Sequence, residues 1–135
     1  MANPNKASGT AWETAVVGYL NEGKLPAKRT GSADAASSDI HFAEDWTAEA
    51  KAEARIDLPG YLRQLAASVE HGGRTRAKSA VWVKNRRHSV KDAYVVMSAE
   101  NYRGLAAYVD TLEGILELAI GPELLAKVAE GPGNA

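Results

Sequence analysis

The sequence predicts an α/β domain, bordering on α+β, built on a small mixed β-sheet flanked by helices. Three observations carry this. Apolar residues recur at helical spacing over 10–22, 59–71 and 99–119. Short segments rich in β-forming residues fall between those stretches. The order therefore reads helix, two or three strands, helix, two strands, helix, which is neither a repeat nor a sandwich pattern. The chain has 135 residues, 45% hydrophobic and 24% charged, the composition of one folded domain. The expected domain spans 10–130, with loose tails at 1–9 and 131–135.

The first helix is expected over 10–22, with Trp12, Val16, Tyr19 and Leu20 on one face and Gly23 as its stop. Thr10 and Glu13 have the spacing of a capping box. A short strand is expected around Ala27–Thr30, then a loop of small residues over 32–38. Strands over about 38–42 and 46–53 form a hairpin around Ala43, Glu44 and Asp45. A helix starts near Asp57 and Pro59 and stops at Gly72 and Gly73. Strands follow at 79–84 and 93–97, joined through a turn at 86–91. Residues 99–119 make one or two helices, with Gly104 and Gly114 as candidate breaks.

Composition excludes several chemistries. Without cysteine there is no disulfide, no thiol nucleophile and no thiolate zinc site. His41, His71 and His88 form no metal-binding spacing. No apolar run approaches the roughly 20 residues of a membrane span, and nothing at the N-terminus resembles a signal peptide, so the expected location is the cytoplasm of a bacterial or phage-infected cell, with no membrane partner and no nucleotide cofactor. The net charge of −1 hides an asymmetry: residues 1–91 carry 14 Lys/Arg against 10 Asp/Glu, and 92–135 carry 2 against 7. Residues 74–91 hold Arg74, Arg76, Lys78, Lys84, Arg86, Arg87 and Lys91 without an acid. Such a block suits phosphate, or it is a solvated rim balanced by acids elsewhere.

Asp39, Glu49 and Lys51 carry the chemistry. Glu49 and Lys51 lie two apart on a strand, so they share a face. A hairpin turning at 44–45 brings Asp39 towards Glu49. Two carboxylates offer hard oxygen ligands suited to Mg2+, with Mn2+ able to substitute. Such an ion polarises a phosphodiester and lowers the pKa of water, and a neighbouring lysine offsets charge in the transition state. An acid-x-Lys pair on a strand is also a common surface ion pair.

The segments Trp12-Glu13, Arg29-Thr30-Gly31, Asp34 with Ser38-Asp39-Ile40-His41, and Glu49-Ala50-Lys51 together resemble the PD-(D/E)xK nuclease superfamily. More narrowly they are similar to small archaeal-type and phage-encoded Holliday junction resolvases, over about residues 10–97. Ser38 stands where that motif has proline. The resemblance implies a restriction-endonuclease-like core and an Mg2+-dependent endonuclease that resolves four-way DNA junctions by paired nicks, acting as a homodimer on branched or double-stranded DNA. It matches Asp39, Glu49 and Glu13 to metal-binding acids, Lys51 to the catalytic lysine, Lys84 to a basic position near the cleaved phosphate and Gln64 to a polar residue that orients the site. A flap, nicking or DNA-degrading nuclease of the same fold, or a non-catalytic nucleic-acid-binding protein, are the alternatives.

Other residues keep two readings. Glu13 is either a metal-side acid or the partner of Thr10 in a cap. Arg29 reaches a phosphate or pairs with Asp34 or Glu53, and Asp34 is a supporting acid or a turn residue. His41 shares the face of Asp39 and either meets DNA or is a polar hairpin residue. Arg74, Arg76, Arg86, Arg87 and His88 are candidate phosphate contacts. Trp46 and Trp82 read as core anchors.

Overall fold

The computed structural model describes residues 4–31 and 38–131. Asp34 and most of the small-residue loop lie outside the described residues. The elements are α1 (Pro4–Glu22), β1 (Ala27–Arg29), β2 (Ile40–Phe42), β3 (Trp46–Lys51), α2 (Leu58–His71), β4 (Ser79–Val83), β5 (Tyr94–Val96), α3 (Ala99–Ile120) and α4 (Pro122–Glu130). Single 3-10 turns precede β4 and β5. The five strands lie in chain order, antiparallel except for the parallel pair β3–β4, which α2 connects. This is a mixed α/β fold with a small mixed sheet flanked by helices.

α1 differs from expectation at its start. It begins at Pro4, a residue suited to the first turn because its missing N–H has no helical partner there. Thr10 is therefore inside the helix, where its carbonyl accepts a bond from the Thr14 hydroxyl (2.9 Å), and the expected capping box does not form. Gly9 weakens the helix without stopping it. Its C-terminus is a Schellman turn. Leu25 N–H donates to the Leu20 carbonyl and Lys24 N–H to that of Asn21. The left-handed residue there is Lys24 (φ 65°), one place after Gly23.

The β2–β3 hairpin turns through 43–45, with Phe42 opposite Trp46 and Ile40 opposite Ala48. α2 starts where Asp57 accepts from Gly60 N–H (3.1 Å) and ends through Gly73, at φ 65°. α3 is capped by Ser98, whose hydroxyl accepts from Asn101 N–H (3.1 Å). It runs unbroken through Gly104 and Gly114, and the break comes at Gly121.

The helices divide the sheet. α1 covers β1 to β3, burying Trp12, Val16 and Leu20 against Ile40, Phe42, Ala48 and Ala50. α2 covers β3 and β4 on the other face, where Tyr61, Leu65 and Val69 meet Val81 and Val83. Trp46 and Trp82 are part-buried against the α1-side core, and Trp12 donates its indole N–H to the Trp82 carbonyl (3.0 Å). No helix among the described residues is long and apolar enough to cross a membrane.

Candidate functional site

Strand register assembles the site. With Ile40 opposite Ala48, the next antiparallel pair is Asp39 and Glu49, and residues directly opposite share a sheet face. Ile40, Ala48 and Ala50 face α1, so Asp39, Glu49 and Lys51 face the α2 side. Asp39 accepts a bond from the Ala50 main-chain N–H (2.9 Å), which holds its carboxylate across the hairpin.

Glu49 is only 2% exposed, and its Oε1 is buried without a hydrogen-bond partner among the described residues. Its pKa is pushed up to about 8. Burial is the main cause, followed by the Asp39 charge and a hydrogen bond with Asp39; the Lys51 cation and a hydrogen bond with Ser68 pull the other way. Near neutral pH burial and the neighbouring carboxylate therefore favour the protonated form of Glu49.

Lys51, at the end of β3, donates from Nζ to Gln64 Oε1 (2.7 Å) and stands 5.3 Å from the centre of the Tyr61 ring. Gln64 thus fixes the lysine head from α2. Ser68, one helical turn further on, is buried beside Glu49 and donates its hydroxyl to the Gln64 carbonyl (2.9 Å). Sequence reasoning missed Ser68 and Tyr61. The available signal was a serine inside the apolar stripe of Tyr61, Leu65 and Val69.

Glu13 lies elsewhere. Its Oε2 receives both Nε (2.9 Å) and Nη2 (2.8 Å) of Arg29. Arg29 shares the α1 side of the sheet with Ala27 by strand alternation. Each therefore occupies the charge of the other, and the expected group of Glu13, Asp39 and Glu49 is not assembled. Among the described residues no three His, Cys, Asp or Glu side chains are grouped so as to hold a metal. The pair that does converge fits Mg2+ chemically, since that ion keeps several waters and binds through one or two carboxylates.

The basic block is split by β4. Arg74, Arg76 and Lys78 precede the strand, beside the 43–45 turn; Lys84, Arg86, Arg87 and Lys91 follow it. Five strand residues separate the groups by about 16 Å. Because β3 and β4 are parallel, the second group sits at the edge where Lys51 emerges, and Lys84 N–H donates to the Lys51 carbonyl (2.9 Å). Lys84, Arg86 and Arg87 are exposed there. His88 stands 3.7 Å from the Asp92 carboxylate. In the first group, Arg76 is exposed, whereas Arg74 donates from Nη2 to the Trp46 carbonyl (2.9 Å) and lies 3.7 Å from Asp45. Arg74 thus braces the hairpin turn. His41 lies beyond Asp39 on the same face, with its pKa lowered by burial, then by the charges of Arg74 and Lys28.

Comparison with known proteins adds no identification: no family model, no curated protein and no solved structure matches this chain.

Proposed function

We propose that the protein is a metal-dependent DNA endonuclease, with Asp39 and Glu49 as the cation-holding pair and Lys51 as the catalytic lysine. The observation that carries this reading is buried Glu49, with a carboxylate oxygen unpartnered among the described residues, opposite half-buried Asp39 and with a lysine on the same face. Structural acids are seldom buried without a cation, because desolvation costs more than an apolar residue in the same place. The strand order, with β1 to β3 antiparallel and β4 parallel to β3, is compatible with the restriction-endonuclease-like core implied by the sequence resemblance.

A divalent cation at this pair would neutralise the scissile phosphate and activate water. The chain's own residues do the rest. Asp39 is oriented by the Ala50 N–H, which holds its carboxylate beside Glu49. Lys51, steered by Gln64 and the Tyr61 ring, supplies positive charge where the phosphate becomes more anionic. Lys84, Arg86 and Arg87, at the same edge, hold the flanking backbone phosphates. Glu13 acts through Arg29, outside the cation pair.

The preferred substrate is a four-way junction, which needs two symmetric nicks and hence two copies of the site. The test is cleavage of matched four-way junction, flap, duplex and single-stranded DNA, with Mg2+, with Mn2+ and with a chelator. Metal-dependent cutting of junctions in preference to the rest is the expected result. Equal cutting of linear duplex would retain the nuclease and remove the junction specificity. Tight binding without cutting in either metal would leave a non-catalytic DNA-binding protein.

A further inference from the structure

α2 buries a serine that the helix itself does not need. Ser68 is 7% exposed and lies in the stripe of Tyr61, Leu65 and Val69 that packs on the sheet. Alanine suits such a position better, with higher helix propensity and no polar atom to satisfy, and α2 has it next door at Ala66 and Ala67. The Ser68 hydroxyl donates to the Gln64 carbonyl (2.9 Å). That oxygen is already the helical partner of the Ser68 main-chain N–H. The extra bond therefore rescues no orphaned group, and such back-bonds slightly destabilise a helix. The fold alone does not account for the hydroxyl.

Glu49 accounts for it. Its carboxylate shares a hydrogen bond with Ser68, and its Oε1 has no partner among the described residues. The neighbouring polar groups are committed elsewhere: Lys51 Nζ to Gln64 Oε1, and the Ala50 N–H to Asp39. Charged Asp39 has no proton to donate. Ser68 is thus the neutral donor beside the acid. A hydroxyl has one proton and turns to suit its acceptors, so it can serve either the Gln64 carbonyl or Glu49. It also holds a carboxylate without adding the positive charge that would compete with a cation. Gln64 and Ser68, four residues apart, share one face of α2. One helical turn therefore addresses both Lys51 and Glu49.

We propose that Ser68 is a positioning residue for the cation pair: its hydroxyl donates to the Glu49 carboxylate when a divalent cation is held, and so fixes Glu49 against Asp39. The inference rests on the cation pair proposed above and extends it to α2. Hydrogen-bond partners behind metal-holding groups typically carry about 10–100-fold in metal affinity.

The test is Mn2+ binding to the full chain without DNA, followed by loss of the free-ion signal in electron paramagnetic resonance. Ser68→Ala should weaken binding about 10-fold, with circular dichroism and the unfolding midpoint retained. Ser68→Thr and Ser68→Val match in shape, and only the first keeps a hydroxyl. Ser68→Thr should stay near wild-type affinity, and Ser68→Val should follow Ser68→Ala. Asp39→Asn should abolish the binding, which separates this site from exposed acids such as Glu113 and Glu117. Wild-type affinity in Ser68→Ala and Ser68→Val, with Asp39→Asn defective, overturns the role of Ser68 and leaves the cation pair standing. Mn2+ binding that is absent, or indifferent to Asp39→Asn, overturns the pair and the role of Ser68 with it.

Discussion

The two faces of the sheet are built on opposite rules. The centre of the α1 face is apolar, from Trp12, Val16 and Leu20 to Ile40, Phe42, Ala48 and Ala50, with the Glu13–Arg29 ion pair beside it. The α2 face has its own apolar cluster, but it also buries Thr47, Glu49 and Ser68. One strand, β3, supplies both faces by alternation: Ala48 and Ala50 one way, Thr47, Glu49 and Lys51 the other. On the first face burial stabilises the fold. On the second a carboxylate is buried where an apolar residue would be more stable, and Thr47 Oγ1 and Glu49 Oε1 have no hydrogen-bond partner among the described residues. The lesson is that a local rule is broken on the face to which the proposed chemistry is assigned and kept at the centre of the other.

The largest expected effect lies on the polar face. Lys51→Ala should lower single-turnover cleavage on the order of 100-fold or more, with junction binding and circular dichroism little changed. Unaltered cleavage would reduce Lys51 to a partner of Gln64 and Tyr61. On the apolar face the effect should appear in stability instead. Ile40→Ala, at a fully buried position, should cost about 2–5 kcal/mol in denaturant unfolding. A smaller cost would mean that α1 is loosely packed.

Glu49 should give the apo protein a pH signature. Its folded pKa lies above its ordinary value of 4.5, so the native state binds a proton that the unfolded state releases. Its contribution is fully present below about 4.5 and is lost as pH rises towards about 8. Metal-free stability should therefore fall across that window, by on the order of a few kcal/mol at most. Glu49→Gln, neutral throughout, should flatten this part of the curve. A slope that survives the substitution belongs to other groups. The smallest effect is Thr47→Val, which removes an unpartnered buried hydroxyl at nearly constant volume. It should stabilise by about 1 kcal/mol, and destabilisation would reveal a partner for that hydroxyl.

What could be read from the sequence follows from the range of the interactions. The turn at 43–45, the Asp57 cap, Pro59 and the Gly72–Gly73 stop act over a few residues, so the hairpin and α2 are legible directly. The hairpin spacing also brings Asp39 to Glu49, although only the register shows that they stand directly opposite. The beginning of α1 is not legible, because Thr10 and Glu13 carry the pattern of a cap while Pro4 starts the helix six residues earlier. The fate of Glu13 is hidden for a different reason: Arg29 reaches it through tertiary structure, 16 residues away in sequence. The basic block looks continuous along the chain, yet β4 runs through it and separates its two halves. Ser68 is recognisable only once α2 is laid against β3.

The most direct test of the central claim is single-turnover cleavage of a four-way junction in Mg2+ by the wild-type protein and by Asp39→Asn, with binding measured on the same preparations. The substitution keeps the shape and an oxygen for the Ala50 N–H but removes the charge that holds the cation. The account predicts Mg2+-dependent cutting by the wild type and a loss on the order of 100-fold or more in the variant, with binding retained. Cutting by Asp39→Asn at the wild-type rate would contradict it.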